Sequence, residues 1–122
     1  MAGHRVLIVE DEALVGMMLE DALASLGVEA ISIASTVEEA LVQASGGNFD
    51  CAILDMHLHG KDVLPVAEIL ERRGISFVFA TGYGRAGLPE KYRTAAVLQK
   101  PFMVEELKRV LASAGVSAPK PS

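Results

Sequence analysis

Four short apolar runs, at residues 6–9, 51–54, 77–80 and 96–98, are separated by longer segments in which apolar residues recur every three or four positions. Apolar runs of this length are typical of strands that are buried on both faces of a parallel sheet. Residues 28–34 mix apolar and polar side chains, as expected of an edge strand. Because these strands alternate with helical segments, the pattern predicts βαβ units with right-handed crossovers and an α/β fold.

The segments between the strands contain residues that favour the start of a helix. Thr36 and Glu39 can form a capping box, and Asp62 is a suitable N-cap for a helix that tolerates Pro65 in its first turn. Residues at helical spacing predict the inward faces of four helices: Val15, Leu19, Ala22, Leu23 and Leu26; Val37, Ala40, Leu41 and Ala44; Val63, Val66, Ala67 and Leu70; Val104, Leu107, Leu111 and Ala114.

One further helix is due between Thr81 and Lys100, fourth in chain order, but its sequence is unfavourable. Glycine and proline destabilise a helix interior by roughly 1 and 3 kcal/mol each. Beyond Leu88 and Tyr92 there is no clear apolar stripe. The residues that break the helix are Gly82, Gly84, Gly87 and Pro89. We therefore expect a weak or irregular fourth helix, or a mobile loop.

Composition narrows the class of protein. A chain of 122 residues that is 51% apolar is long enough for one domain with a core. The net charge of −5, without a Lys/Arg cluster, argues against a nucleic-acid surface. No apolar stretch approaches the roughly 20 residues of a membrane span, and a strand begins by Val6, so we expect neither a membrane segment nor a signal peptide. These features predict a soluble, cytoplasmic protein.

The cysteine and the histidines suggest no site of their own. Cys51 is the single cysteine and lies within an apolar run, so we interpret it as a small buried hydrophobic residue. His4 is expected to be an exposed residue at the entry of a strand. His57 and His59 flank Leu58 too sparsely for a histidine metal site.

Polar residues follow or end each of the four apolar runs. They are Glu10 with Asp11, then Asp55, then Thr81, then Lys100. In an open parallel sheet, functional residues gather outside the carboxyl ends of the strands. Three carboxylates, one hydroxyl and one ammonium group should therefore converge at one edge. The pattern predicts an acidic pocket that attracts a metal ion and carries a group able to hold an anion.

These residue types suit phosphoryl transfer. Asp55 is the predicted nucleophile, because a carboxylate can accept a phosphoryl group as an acyl phosphate. The reaction otherwise needs positioning and neutralisation of charge. Lys100 can pair with the incoming phosphate, and the hydroxyl of Thr81 can donate to one of its oxygens.

Mg²⁺ is the predicted cofactor, since it prefers oxygen ligands and binds through one or two carboxylates and a phosphate oxygen. Asp11 and Asp55 fit as direct ligands, and the backbone carbonyl of His57 fits as a third. Glu10 is more suited to act through a metal-bound water. Taken singly, each of these residues also fits an ordinary turn, cap or solvated loop, but coincidence at four strand ends is improbable.

The motifs that carry these residues resemble the receiver domain of bacterial two-component response regulators. Residues 6–12, 54–60, 79–82 and 99–102 read VLIVEDE, LDMHLHG, FATG and QKPF. The resemblance spans nearly the whole chain, and its FATG segment is similar to a subgroup that includes stand-alone receivers. It implies a flavodoxin-like (βα)5 three-layer sandwich with strand order 2-1-3-4-5. It also implies a cis Lys100–Pro101 bond. We expect the receiver domain to span 1–117, and the residues APKPS at 118–122 to form a flexible tail or the start of a linker.

The resemblance implies a function as well. Asp55 would accept phosphate from a histidine kinase or a histidine phosphotransfer protein, with Mg²⁺, and the domain would catalyse only its own phosphorylation and dephosphorylation. The phosphorylated domain would then control binding of a downstream protein or drain phosphate from a relay. Alternatives are a degenerate receiver that acts as an interaction module, or a fragment of a larger regulator or hybrid kinase. A small phosphohydrolase is disfavoured, because residues 10–12 are acidic where a phosphate loop would lie.

Overall fold

Five strands form one parallel sheet in the computed structural model, which describes residues 4–58, 60–82 and 88–114. The strands are β1 (Arg5–Val9), β2 (Ala30–Ala34), β3 (Cys51–Asp55), β6 (Ser76–Thr81) and β7 (Ala96–Gln99). Their order in the sheet is β2-β1-β3-β6-β7, which confirms the predicted order 2-1-3-4-5. Between β3 and β6 lies a small antiparallel hairpin of β4 (His57–Leu58) and β5 (Lys61–Asp62).

Helices cover both faces of the sheet and complete three layers. They are α1 (Ala13–Ser25), α2 (Val37–Gly46), α3 (Leu64–Arg72) and α4 (Val104–Ser113). Helices α1 and α4 pack with one face of the strands, and α2 and α3 pack with the other. The flavodoxin-like α/β architecture implied by the motifs is therefore confirmed.

The core divides into two clusters because the side chains of a strand alternate between faces. Leu54 and Phe79 are fully buried on the α2 and α3 side. Ile53 and Val78, one position earlier in the same strands, are fully buried on the α1 and α4 side. Cys51 is also fully buried, as its apolar run predicted. Burial on both faces explains why the strand sequences are continuous apolar runs.

The predicted helix boundaries are largely confirmed. The hydroxyl of Thr36 accepts the N–H of Glu39 at 3.1 Å, and the Glu39 carboxylate accepts the N–H of Ser35 at 3.4 Å. Gly27, which follows α1, and Gly74, which follows α3, have φ values of 87° and 70°. Glycine reaches this left-handed region without steric strain, so it ends both helices readily.

Three expectations about single residues were wrong. Asp62 is not the N-cap of α3, because the helix begins one residue later than expected, at Leu64, and Val63 takes that position; the Asp62 carboxylate still accepts the N–H of Leu64 at 2.9 Å. Val104 is 38% exposed, since it begins α4 at the edge of the packed layer. His4 is buried rather than exposed; it directly precedes β1, and its carbonyl accepts the N–H groups of Glu29 at 3.0 Å and of Ala30, the first residue of β2, at 3.3 Å.

The predicted irregular fourth helix corresponds, over the described residues, to a single 3₁₀ turn at Glu90–Tyr92. The part of this segment at 83–87, and the predicted tail at 118–122, lie outside the described residues. In the described ranges, no helix is both long enough and apolar enough to cross a membrane.

Candidate phosphoryl-transfer site

The carboxyl ends of four parallel strands bring the predicted site residues to one edge of the sheet. Asp55, the last residue of the central strand β3, lies in register with Ala80 of β6, the residue before Thr81. The Lys100 N–H donates to the Thr81 carbonyl at 2.9 Å, which fixes the start of the loop after β7 beside the end of β6. The Lys100–Pro101 bond is cis, as the motif implied.

Three carboxylates form a compact cluster at this edge. Oxygen atoms of Glu10, Asp11 and Asp55 lie within 4.8 Å of one another. Glu10 is only 2% exposed and Asp55 only 9%, while Asp11 is half-buried. Like charges at such distances repel unless a cation lies among them. This set of hard oxygen donors fits Mg²⁺, which the sequence had predicted as the cofactor.

The ammonium group of Lys100 bridges two members of the cluster. Its Nζ lies 2.9 Å from Oε1 of Glu10 and 3.4 Å from Oδ1 of Asp55. The second carboxylate oxygen of Glu10 accepts the backbone N–H of Glu12 at 3.2 Å. Both oxygens of the buried Glu10 carboxylate therefore have hydrogen-bond donors.

The surroundings shift the pKa values of Glu10 and Lys100. Burial raises the pKa of Glu10 from 4.5 to about 7, and the neighbouring charge of Asp55 adds to this, although hydrogen bonds from Lys100 and Glu12 oppose it. Burial lowers the pKa of Lys100. The hydrogen bond to Glu10 and the charges of Asp55 and Glu10 together outweigh burial, so the pKa of Lys100 is raised. Lys100 therefore stays charged, and the cluster gains from any additional cation.

The structure thus brings together Glu10, Asp11, Asp55 and Lys100, as the alternation of strands and polar ends predicted. Thr81 is buried at the end of the neighbouring strand β6. The backbone of His57 lies two residues beyond Asp55, where it begins the hairpin strand β4.

Two features of the site were missed by sequence reasoning. One is the N–H of Glu12 as a hydrogen-bond donor to Glu10, although the acidic run at 10–12 could have suggested a tight local turn. The other is the hairpin after Asp55. Its signal is Gly60, which directly precedes β5 in the connection between the two hairpin strands and adopts a φ of 74°.

Comparison with known proteins defines the class. The family model for the response regulator receiver domain matches residues 6–112 of this chain. The chain therefore belongs to the response regulator receiver domain family, a family of signalling domains.

The chain is also similar to individual regulatory proteins. The transcriptional regulatory protein PdtaR of Mycobacterium tuberculosis is 36% identical over 108 residues, which cover 85% of this chain and 53% of PdtaR. The chain thus spans about half the length of the curated relatives it matches.

Solved structures support the same conclusion. SdrG from Sphingomonas melonis Fr1 is 43% identical, with a TM-score of 0.83 over 93% of this chain and 97% of that one. The anti-anti-sigma factor PhyR from Bartonella quintana is 27% identical, with a TM-score of 0.75 over 93% of this chain and 47% of PhyR. The resemblance to the subgroup of stand-alone receivers is confirmed, since SdrG is matched over nearly its whole solved length.

Proposed function

We propose that this receiver accepts a phosphoryl group on Asp55 from the phosphohistidine of a histidine kinase or histidine phosphotransfer protein, with Mg²⁺ as cofactor. The observation that carries the proposal is the position of Asp55. Its carboxylate ends the central strand, shares a cluster with Glu10 and Asp11, and lies 3.4 Å from the ammonium group of Lys100. No other carboxylate of the cluster ends a strand of the sheet.

In the proposed reaction, an oxygen of the Asp55 carboxylate donates its electron pair to phosphorus. The phosphorus–nitrogen bond of the phosphohistidine breaks, and its electron pair returns to the imidazole nitrogen. Lys100 holds a phosphoryl oxygen as a point charge, for which its ammonium group must move from the carboxylates toward the incoming group. The hydroxyl of Thr81 donates a hydrogen bond to another phosphoryl oxygen.

Asp11, Asp55 and the backbone carbonyl of His57 would hold the Mg²⁺ ion, and Glu10 would act through a metal-bound water. Bound Mg²⁺ would supply the positive charge that lets an anionic phosphoryl group approach an acidic cluster. The Glu10 geometry supports an indirect role, because both of its carboxylate oxygens already accept hydrogen bonds.

Phosphorylation would add about −1.5 to −2 units of charge beside Lys100 and Thr81. Such a change shifts the populations of nearby conformations, and so controls the binding of a downstream protein or lets the domain drain phosphate from a relay. The name of the relative PhyR, an anti-anti-sigma factor, supports a protein as the downstream partner. We further propose, from family membership, that the exchange takes place in the cytoplasm.

Intact-protein mass spectrometry tests this proposal. Incubation with Mg²⁺ and acetyl phosphate, or with each of a panel of phosphorylated histidine kinases, should add one phosphoryl group. Asp55→Asn should take up none. The control Asp21→Asn makes the same chemical change on an exposed part of α1 and should be phosphorylated normally.

Two results would contradict the assignment. A single phosphoryl group that persists in Asp55→Asn would place the acceptor elsewhere. A wild-type protein that no donor modifies, but that still binds a partner, would favour the alternative of a degenerate receiver that acts only as an interaction module.

A further inference from the structure

Tyr92 has an unusual environment for a tyrosine. Its side chain is only 5% exposed, and its hydroxyl is buried without a hydrogen-bond partner in the part of the chain that the structure describes. Most buried polar side-chain atoms in native proteins are paired, and an unpaired one is unfavourable by a factor of about five or more in the folding equilibrium. Burial also raises the pKa of this phenol, and the neighbouring ammonium group of Lys91, whose Nζ lies 5.3 Å from the ring centroid, opposes the shift. A position in which the hydroxyl meets water would relieve this penalty.

The aromatic ring of Tyr92 connects it to the candidate site. It packs edge-on against Phe79, with ring centroids 5.4 Å apart, and against Phe77 at 5.9 Å. Both phenylalanines lie on β6, the strand that ends in Thr81. Because strand side chains alternate, Phe77, Phe79 and Thr81 share one face of the strand. A shift of the Thr81 end of β6 therefore changes the packing surface of the Tyr92 ring.

The backbone that carries Tyr92 is short and locally bonded. It belongs to a three-residue 3₁₀ turn, in which the N–H of Tyr92 donates to Pro89 and the N–H of Ala95 donates to Tyr92 at 2.9 Å. Short 3₁₀ turns have poor hydrogen-bond geometry and open at low local free energy. The side chain also borders an open groove of about 360 Å³ whose lining includes Lys91 and Glu71. The ring thus has a neighbouring polar space beside it.

We propose that Tyr92 is a conformational switch of this receiver, with a buried resting position and an outward position in which its hydroxyl is hydrated in this groove. The resting position is held by ring packing on Phe79 and opposed by the unpaired hydroxyl. Phosphorylation of Asp55 draws the Thr81 end of β6 toward the phosphoryl group, weakens the ring packing and favours the outward position. The inference rests on the proposed function for its trigger, whereas the burial of the unpaired hydroxyl is observed independently of it.

Hydrogen exchange in the metal-free protein tests the two positions independently of phosphorylation. The amide of Ala95 reports opening of the turn, because it donates to the Tyr92 carbonyl. Tyr92→Phe removes the hydroxyl that favours the open form, so exchange of this amide should slow about fivefold or more. Tyr92→Leu also removes the ring contacts, and exchange should instead become faster. Unchanged or faster exchange in Tyr92→Phe would overturn the proposal.

Tyrosine fluorescence tests the trigger. The chain has two tyrosines and no tryptophan, so Tyr83→Phe leaves Tyr92 as the only emitter. Its quenching by acrylamide should be weak in EDTA and rise at least threefold with Mg²⁺ and beryllofluoride, a phosphate mimic. Binding of the mimic is followed separately by ¹⁹F NMR. If the mimic binds and quenching of Tyr92 does not change, the coupling between Asp55 and Tyr92 is refuted. If the mimic does not bind, the proposed function is contradicted, and the hydrogen-exchange result alone decides whether Tyr92 has two positions.

Discussion

The buried carboxyl group of Glu10 should make the stability of the metal-free protein depend on pH. Its pKa in the folded protein is about 7, compared with an ordinary value of 4.5, mainly because burial disfavours the charged form. Between these two values the folded state binds the proton more tightly than the unfolded state. The contribution of Glu10 is therefore most favourable below pH 4.5 and is lost as the pH rises through about 7.

The difference in pKa corresponds to about 3 kcal/mol in the free energy of unfolding, since each pKa unit is worth about 1.4 kcal/mol. The free energy of unfolding should be measured by urea denaturation in EDTA, at pH 5 and at pH 8.5, for the wild type and for Glu10→Gln. On going to the higher pH, the wild type should lose about 2–3 kcal/mol more than Glu10→Gln, which cannot ionise; the value is slightly below the full difference because pH 5 already lies above 4.5. Comparing the two losses cancels the contributions of the other titrating groups.

Two controls sharpen this experiment. Glu20→Gln removes a carboxylate from the exposed surface of α1 and should follow the wild-type pH dependence. Saturating Mg²⁺ should reduce the wild-type loss at pH 8.5, because a cation in the cluster stabilises the ionised carboxylate. If the wild type and Glu10→Gln lose the same free energy between the two pH values, the argument from burial is refuted.

Three further predictions concern binding and stability. Asp11→Asn should weaken Mg²⁺ binding in a calorimetric titration, and unchanged affinity would move the metal site elsewhere. Thr36→Ala should destabilise the protein by about 1 kcal/mol in urea denaturation, because the N–H of Glu39 loses its acceptor, whereas Thr36→Ser should be nearly neutral. Leu70→Ala should lower the free energy of unfolding by about 2–5 kcal/mol, since this side chain is fully buried. Val42→Ala, at an exposed site, should change it by no more than about 0.5 kcal/mol. Equal effects of the two substitutions would contradict the described core.

Local sequence patterns were sufficient for the five strands of the parallel sheet, the four helices and the edge of the sheet that carries the candidate site, but not for the hairpin of β4 and β5. Continuous apolar runs identify strands covered on both faces, and the residue that follows each run necessarily lies at its carboxyl end. Asp55 and Lys100 could therefore be assigned to one site from strand positions alone. The strand order itself came from the family motifs, because periodicity does not specify which strands are neighbours.

Errors arose where a local signal competed with tertiary contacts. Asp62 has the chemistry of a helix cap, but its backbone belongs to the hairpin with His57, and α3 begins only at Leu64. Val104 has the helical spacing of a core residue, but it lies where α4 extends past the layer that would cover it. The segment around Tyr92 was predicted to be irregular from its glycines and proline, and its described part is a single short turn.

The sequence by itself determined the fold class, the edge of the sheet that carries the site and the chemical types of its residues, because these depend on periodicity and on order along the chain. Only the tertiary structure decided that the Lys100 ammonium lies 2.9 Å from Glu10, 90 residues earlier in the chain. It also decided that burial raises the pKa of Glu10 and that the hydroxyl of Tyr92 is buried without a described partner. Desolvation and long-range partners depend on how the layers pack, and no local pattern specifies that packing.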